Sequence, residues 1–386
     1  MRIVGIICEY NPFHLGHGRQ LSWVRQRLTP EDAIVCLMSG NFVQRGSPAI
    51  LDKTLRARAA LNAGADLVLE LPVGVCLSSA EGFAAGGVEI LAKAGATALC
   101  FGAESPEDEI RETARLLLRR DFTEYLRWNL KDGLSFPAAR AQALAQMGGR
   151  AECLRRPNDI LAVEYCKAIL NQGLSMEPWI LRRPGDYHAE TPDPENPSAT
   201  ALRRLMLTGG DWEPYVPKTA AEPFRGAALH SLAAGERAVL ARLRTMTEAE
   251  FEAVPYGGEG LWRRFMAACR REGTLEAVLE ATKSKRYVRT RLDRMVLCAF
   301  LGLRQEDLNG KAPYVRVLAL NDRGRQVLAA ARDNLPFVNA GTRQAGAYWE
   351  LEQRCGDLYG LFAVGAPEPP GRALRERIFY EPGGNF

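Results

Sequence analysis

Short apolar runs alternate with segments of helical spacing over the first 180 or so residues of the chain. Apolar runs of this length are typical of buried strands, and the segments between them have the 3.6-residue period of helices. Their alternation predicts βαβ units, and hence an α/β fold with a Rossmann-like, doubly wound parallel sheet covered by helices on both faces. The predicted strands are residues 2–8, 33–38, 67–71, 97–102 and 176–181.

The second half of the chain has mainly helical spacing. A proline-rich stretch over 184–198 predicts a loop, and Ser198 is a suitable N-cap for a helix behind it. The composition shifts again around 209–223, which predicts an α/β domain over 1–215 and a mainly helical domain over 216–386. The predicted elements of the second domain are helices over 227–244, 248–254, 260–271, 274–282, 287–301 and 323–332 and a strand over 314–320.

Composition narrows the class of protein. The sequence is 47% hydrophobic and 25% charged, as in ordinary globular proteins. No apolar run reaches the ~18–20 residues that cross a bilayer, so we expect a soluble, cytoplasmic protein without a membrane partner. The net charge of +4 neither requires nor excludes a polyanionic partner. The nine cysteines contain no C-x-x-C pair, so they predict buried reduced thiols and no metal site.

A pair of histidines directly follows the first predicted strand. His14 and His17 form the pattern H-x-G-H at a predicted helix start, where free backbone N–H groups and the helix dipole attract phosphate. Gly16 permits close backbone approach, and Pro12 restricts the preceding turn. Imidazoles at this position can donate hydrogen bonds to an α-phosphate while charge builds up during in-line attack. The pattern therefore indicates nucleotidyl transfer.

Hydroxyl groups and an arginine open a second predicted helix. Ser198, Thr200 and Arg203 form the pattern S-x-T-x-x-R, which can clamp the leaving β- and γ-phosphates. The alternative is an ordinary helix cap, since Ser and Thr cap many helices. Together with H-x-G-H, and in this order along the chain, the segment resembles the nucleotidyltransferase superfamily, whose members attack the α-phosphate of ATP and release pyrophosphate.

Further blocks of sequence narrow the resemblance. The chain is similar over nearly its whole length to the bacterial tRNA(Met) cytidine acetate ligase family. The blocks that carry this similarity include S-G-N-F-V-Q-R-G-S-P-A at 39–49, D-L-V-L-E-L-P at 66–72, F-G-A-E at 101–104, P-N-D-I-L at 157–161 and P-Y-V-R-V-L at 313–318.

The resemblance implies an activity in two stages. ATP and acetate would give acetyladenylate and pyrophosphate, and the acetyl group would then pass to the exocyclic N4 amine of the wobble cytidine of elongator tRNA(Met). Residues 1–215 would be the ATP-binding catalytic domain, and 216–386 a tRNA-binding domain. Mg²⁺ is expected with ATP, held by the phosphates rather than by a protein cage. A single-stranded anticodon base suits such a reaction, and DNA is not expected as a partner.

The resemblance also implies roles for particular residues. His14 and His17 would be catalytic. The residues implied in ATP binding are Ile7, Cys8, Glu9, Tyr10, Asn11, Pro12, Phe13, His14, Leu15, Gly16, His17, Gly18, Arg19, Gln20, Gly102, Asn158, Arg182, Arg183, Ser198, Thr200 and Arg203. His188 is either a further catalytic contact or a loop residue. Arg45 and Lys53 are candidates for an anion-binding role, and the alternative for both is a surface salt bridge.

The densest run of positive charge lies at residues 283–294. Lysine and arginine contacts to phosphates give affinity that does not depend on sequence, and a tyrosine within the run can stack on an unpaired base. The alternative is a solvated helix face with Leu292, Met295, Val296 and Ala299 turned to the core. The residues predicted to contact tRNA are Lys283, Lys285, Arg286, Arg289 and Arg291.

Two other functions remain open at this stage. One is a small-molecule nucleotidylyltransferase that joins a nucleotide to a phosphorylated cofactor precursor, which the long basic C-terminal region does not favour. The other is a non-catalytic RNA-binding protein on a degenerate nucleotide fold. Against it stands the presence of both H-x-G-H and S-x-T-x-x-R.

Overall fold

A mostly parallel sheet forms the centre of the protein. The computed structural model describes residues 1–182, 193, 197–284, 286–308 and 312–383. Within these residues the strands are β1 Ile3–Cys8, β2 Ala33–Ser39, β3 Phe42–Val43, β4 Ser47–Pro48, β5 Leu67–Leu71, β6 Ala98–Ala103, β7 Glu177–Arg182, β8 Val315–Asn321, β9 Phe337–Asn339 and β10 Phe379–Glu381.

Helices cover the sheet and make up most of the later part of the chain. The described helices are α1 Leu15–Arg25, α2 Lys53–Asn62, α3 Val73–Cys76, α4 Ala80–Lys93, α5 Glu107–Leu117, α6 Arg120–Lys131, α7 Phe136–Gln146, α8 Pro157–Asn171, α9 Ala199–Thr208, α10 Lys218–Ala221, α11 Leu232–Thr245, α12 Glu248–Glu252, α13 Leu261–Arg271, α14 Leu275–Thr282, α15 Arg289–Leu301, α16 Asp322–Ala331, α17 Ala347–Tyr359 and α18 Arg372–Arg375.

The strand order of the main sheet is β10-β8-β5-β2-β1-β6-β7, with β9 paired to β8. The five predicted N-terminal strands are all present, and the pairs among them are parallel. This confirms the doubly wound α/β fold. The antiparallel pairing of β5 with β8 is a departure from the predicted parallel sheet. β8 comes from a distant part of the chain and enters the sheet from the opposite end.

Both faces of the sheet are buried at its central strands. Along β1, Ile3 belongs to one apolar cluster with α4, α5 and α8, whereas Val4 and Ile6 belong to another with α1 and α2. This alternation follows from the two-residue period of a strand. A third cluster lies among α11–α15 and α17. The sheet therefore has the continuous apolar strands that a two-sided core requires.

Strands from the later part of the chain belong to the main sheet. β8, β9 and β10 all lie beyond residue 215. The division into domains at 215/216 stays a prediction. The main sheet combines strands from both sides of this boundary. The predicted helix over 227–244 begins only at Leu232, because Ser231 caps it by accepting a hydrogen bond from the backbone N–H of Ala234 at 3.2 Å.

The cysteines are unpaired thiols, as predicted, and all are buried except Cys8, which is half-buried. No helix in the described part of the chain combines the length and the apolar character that crossing a membrane requires.

A buried carboxylate ties the later strands to the first ones. Asp66 is fully buried at the start of β5 and accepts a hydrogen bond from the backbone N–H of Ile34 at 2.8 Å. It also accepts one from Asn321 Nδ2 at 2.9 Å and forms ion pairs with Arg25 and Arg323. One side chain therefore connects β2, β5, β8, α1 and α16.

Replacing Asp66 with alanine should destabilise the fold, because it leaves two partly buried guanidinium groups and a buried amide without their acceptor. We expect the free energy of unfolding to fall by about 3 kcal/mol. Urea denaturation followed by circular dichroism measures this loss. Asp333→Ala is the matched control: Asp333 is an exposed carboxylate beside Arg332, so its removal should leave the midpoint unchanged. Equal midpoints for the two variants would contradict the role given to Asp66.

Candidate functional site

A cleft opens at the carboxyl ends of β1 and β6, where the strand order reverses. From β1 the chain adds β2 and β5 on one side, whereas β6 and β7 extend the sheet on the other. The connections after β1 and β6 leave the sheet in opposite directions, so a crevice forms between them. The hairpin of β3 and β4 and the first turns of α1, α8 and α9 complete its walls.

The turn between β1 and α1 is held by its own side chains. Tyr10 has a positive φ of 47°, and the peptide bond between Asn11 and Pro12 is cis. Asn11 Oδ1 accepts a hydrogen bond from the backbone N–H of Ile50 at 2.7 Å. The Tyr10 ring packs edge-on against Phe13, with ring centroids 4.7 Å apart. These buried contacts set the direction in which α1 begins.

His14 and His17 form the N-terminal cap of α1. The Nδ1 of His14 accepts a hydrogen bond from the backbone N–H of Gly16 at 3.1 Å, and the Nδ1 of His17 accepts one from the backbone N–H of His14 at 3.2 Å. In a neutral ring whose Nδ1 accepts, the proton lies on Nε2. The rings stack with centroids 3.7 Å apart. His14 is buried, and His17 is the member of the pair that lines the cleft.

The start of α9 brings the second predicted segment to the cleft. Ser198 is buried and caps the helix by accepting a hydrogen bond from the backbone N–H of Ala201. Thr200 and Arg203 line the cleft. Arg203 donates to the backbone oxygen of Asn11 at 2.7 Å and to Thr200 Oγ1 at 3.0 Å. The guanidinium group therefore joins α9 to the turn that precedes the histidines.

The end of β6 is tied to the start of α8. Gly102 and Asn158 line the cleft, and Asn158 Nδ2 donates to Glu104 Oε1 at 2.9 Å. Asp159 is fully buried and accepts hydrogen bonds from the backbone N–H groups of Glu104 at 2.6 Å and Ser105 at 3.1 Å. Asn158 is thereby positioned beside the strand end.

The hairpin of β3 and β4 forms a wall of the cleft, of which the sequence indicated only Arg45. Gln44 and Arg45 at its turn line the cleft, and the backbone N–H of Gln44 donates to Glu9 Oε1 at 2.9 Å. Gly46 has a φ of 81°, and a Cβ there would lie 2.5 Å from the backbone nitrogen of Arg294 in α15. The hairpin is thus in contact with the cleft on one side and with α15 on the other.

Arg45 and Lys53 differ in their surroundings. Arg45 lines the cleft, and its role in binding anions stays a prediction. Lys53 is buried, with its Nζ 2.8 Å from a carboxylate oxygen of Glu70 and 3.1 Å from one of Glu376. Lys53 lines a separate cavity. Of the two alternatives for Lys53, the salt bridge is the one the structure shows, but it is buried rather than at the surface.

Apolar and protonated groups make up the remaining wall. The rings of Phe101 and Tyr165 lie 5.2 Å apart between centroids, beside Phe83 and Leu161. Burial raises the pKa of the Tyr165 phenol, so the hydroxyl stays protonated and can donate a hydrogen bond. Burial likewise raises the pKa of the Cys8 thiol well above its usual range. Cys8 is therefore not a thiolate nucleophile.

The structure brings many of the residues predicted to bind ATP together in this cleft. Those that line it are Ile7, Cys8, Glu9, Tyr10, Asn11, His17, Gln20, Gly102, Asn158, Thr200 and Arg203. Those outside its lining are Pro12, Phe13, His14, Leu15, Gly16, Gly18, Arg19, Arg182 and Ser198. Arg183 and His188 lie outside the residues that the structure describes.

Other cleft residues were missed from the sequence. Most are apolar or belong to very short elements, so their sequence signal is the same as that of core or loop residues. An apolar wall residue and a core residue have the same periodicity. The missed residues are Val43, Gln44, Ser47, Phe83, Phe101, Pro157, Leu161, Tyr165 and Ala199.

Three basic side chains of the run over 283–294 are paired with acidic side chains, namely Lys283, Arg286 and Arg289. Nitrogens of Lys283 and Arg286 lie 3.1 Å from carboxylate oxygens of Glu280 and Glu259, respectively. Arg289 pairs with Glu276 at 2.7 Å and with Asp293 at 2.8 Å, and Arg291 donates to the backbone oxygen of Tyr256 at 2.8 Å. The predicted core face is confirmed, since Leu292, Met295, Val296 and Ala299 are all buried. Lys285 is not among the described residues.

Metal ligands do not come together in the described ranges of the chain: no group of three or more His, Cys, Asp and Glu residues there has an arrangement that would hold a metal ion.

Comparison with curated proteins and solved structures gives consistent results. A protein from Halothermothrix orenii named tRNA(Met) cytidine acetate ligase is 36% identical over 369 residues, which cover 88% of this chain and 87% of the relative. One of the same name from Fervidobacterium nodosum is 33% identical and covers 92% of this chain and 87% of the relative.

The fold agrees with solved structures over nearly its whole length. The crystal structure of apo Thermotoga maritima TmcAL superposes with a TM-score of 0.89 at 30% identity, covering 99% of this chain and 100% of that one. The same protein bound with alpha-thio ATP gives a TM-score of 0.86 at 29% identity and the same coverage. The family model described as HIGH Nucleotidyl Transferase matches residues 1–369. The chain therefore belongs to the HIGH nucleotidyl transferase family, within its group of tRNA(Met) cytidine acetate ligases.

Proposed function

We propose that this protein activates acetate with ATP, forming acetyladenylate and pyrophosphate, and then acetylates the N4 amine of the wobble cytidine of elongator tRNA(Met) in the cytoplasm. The observation that carries the proposal is the cleft at the strand-order reversal, where the start of α1, His17 and Arg203 converge. Relatives named for this activity cover most of the chain. The T. maritima protein was solved with alpha-thio ATP, which supports ATP as the nucleotide.

ATP fits the cleft with its phosphates toward α1 and α9. The N-terminus of α1 supplies positive dipole and backbone N–H groups. Thr200 and Arg203 offer a hydroxyl and a guanidinium group for the β- and γ-phosphates. At the other end Gly102 lets the nucleoside approach the end of β6, against the apolar wall of Phe101 and Leu161.

The first step is an in-line attack by an acetate oxygen on the α-phosphorus. Negative charge accumulates on the α-phosphate oxygens, and the Nε2–H of His17 and the start of α1 stabilise it. His14 positions His17 by ring stacking and through its backbone N–H. Pyrophosphate leaves toward Thr200 and Arg203. Mg²⁺ would accompany the triphosphate and neutralise its charge.

The tRNA is bound by the mainly helical region over 216–386, while 1–215 supplies most of the nucleotide site. Lys283 and Arg286 form exposed ion pairs, and exposed pairs contribute only about 0–1 kcal/mol. They can therefore exchange glutamate for phosphate at little cost. The hairpin that packs against α15 also lines the cleft. RNA bound near the start of α15 would thus lie close to the nucleotide.

Replacing Arg203 with alanine removes the guanidinium group that faces the phosphates. We expect the Kd for ATP to rise roughly 10- to 100-fold, because charge-assisted hydrogen bonds to phosphate are lost. Isothermal titration calorimetry measures the change. Arg204→Ala is the control, since Arg204 is the next residue of α9, is exposed and does not line the cleft. An unchanged Kd for Arg203→Ala would place the triphosphate elsewhere.

Acetate-dependent ATP–pyrophosphate exchange tests the proposed chemistry directly. The wild-type protein should catalyse exchange only with acetate, and His17→Ala should lower the rate by ~10²–10³-fold because a donor to the transition-state charge is lost. Gln146→Ala, at the end of α7 and away from the cleft lining, serves as the control. No exchange with acetate, tested with and without tRNA(Met), would overturn the proposal and favour a nucleotidylyltransferase that acts on a small molecule.

The basic run predicts a dependence of tRNA affinity on salt. Removing both Lys283 and Arg286 should weaken binding of tRNA(Met) and reduce the slope of log K against log salt by about 1 per residue removed. Fluorescence anisotropy across a salt series measures the slope. Arg332→Ala removes an exposed charge at the residue that follows α16 and should leave the slope unchanged. The same slope in all three proteins would show that tRNA is bound by another surface.

A further inference from the structure

The carboxylate of Glu9 is held in place at the carboxyl end of β1. Glu9 follows the last residue of the strand, lines the cleft and accepts at Oε1 a hydrogen bond from the backbone N–H of Gln44 at 2.9 Å. Its backbone oxygen accepts one from Arg56 Nη1 at 2.6 Å. Arg56 is fully buried and also donates to the backbone oxygens of Leu51 at 2.9 Å and Ser39 at 3.0 Å. Both the backbone and the side chain of Glu9 are thereby positioned.

The negative charge of Glu9 is opposite to that of the arginines in the same cleft. Among the described residues that line the cleft it is the one carboxylate, whereas Arg45 and Arg203 are cationic. A carboxylate repels a triphosphate, because two like charges in close contact repel and a protein cleft screens them less than bulk water does. Direct binding of phosphate therefore does not explain Glu9. A substrate group that gives up a proton to the Glu9 carboxylate accounts better for its place in the cleft.

We propose that Glu9 is the general base of the acetyl-transfer step and takes the proton from the N4 amine of cytidine as this amine attacks acetyladenylate. This inference rests on the proposed function. It gives Glu9 a role in the second half-reaction, in place of the part in ATP binding that the family resemblance implied for it.

The amine of cytidine needs such a base. Its lone pair is delocalised into the ring, so it is a weak nucleophile and becomes acidic only as it attacks. The N4–C bond forms at the acetyl carbonyl carbon, and the bond from that carbon to the phosphate oxygen breaks. AMP leaves with the electron pair, and the N4 proton passes to the Glu9 carboxylate, which later releases it to water. Removal of this proton in the transition state is general base catalysis.

The first half-reaction needs no such base. Acetate arrives as an anion and has no proton to lose at the attacking oxygen, and pyrophosphate leaves without one. A general base in the cleft therefore accelerates only the transfer to the amine. Loss of a general base should therefore slow only the transfer step, whereas loss of a residue that binds the nucleotide should slow both steps.

Glu9→Gln is the informative variant, because the amide has nearly the same shape and its oxygen can still accept from the backbone N–H of Gln44. Acetate-dependent ATP–pyrophosphate exchange should persist. In a single turnover with radiolabelled acetate, transfer to tRNA(Met) from preformed acetyladenylate should slow by ~10²–10⁴-fold. Glu9→Asp, which keeps the carboxylate one methylene further away, should restore part of the transfer rate.

Each other outcome has a distinct meaning. An equal loss of exchange and transfer in Glu9→Gln would assign Glu9 to nucleotide or metal binding and overturn the inference. Transfer at the wild-type rate would overturn it as well. Glu89→Gln, an exposed carboxylate of α4 paired with Lys93, controls for loss of charge alone. If the wild-type protein shows no acetate-dependent exchange, the proposed function itself fails, and this result is separate from any effect of Glu9.

Discussion

The parallel pairing of β1 with β2 on one side and β6 on the other is the constraint on which the rest of the site depends. The connections that follow β1 and β6 leave the sheet in opposite directions. Neither of these two connections therefore covers the carboxyl end of β1. The backbone oxygens and side chains after β1 and β6 therefore face a crevice. Helices α1, α8 and α9 all begin at this crevice, and His17 and Arg203 line it together.

The crevice contains charges of both signs. The start of α1, Arg45 and Arg203 favour negative charge, whereas Glu9 stands at the end of β1 beside the hairpin. The protonated Cys8 thiol and Tyr165 phenol add no charge of their own. Cationic side chains and the Glu9 carboxylate thus lie in the same cleft, and under the proposed function they would serve the phosphates and the neutral amine, respectively. This arrangement agrees with a reaction that builds a mixed anhydride on ATP and then transfers its acyl group.

The early strands were predictable because a strand buried on both faces is a continuous apolar run. β1, β2, β5, β6 and β7 begin and end within one or two residues of their predicted positions. β8 was predicted as a strand, but its antiparallel place beside β5 was not, because pairing depends on contacts such as that of Asn321 with Asp66, 255 residues away. β10, with three residues, has too little periodicity to be recognised.

The functional residues, like the strands, fall into those that the sequence indicated and those that only the tertiary structure revealed. The sequence by itself determined the α/β class and the two segments with histidines, hydroxyls and arginine, because those signals lie within a few neighbouring residues. Only the tertiary structure decided that His17 lines the cleft while His14 packs behind it, and that the hairpin turn forms a wall. The same holds for the basic run, which Glu259 and Glu276 partly neutralise. Charges and walls of this kind arise between segments far apart along the chain, and local periodicity carries no information about which distant side chains will meet.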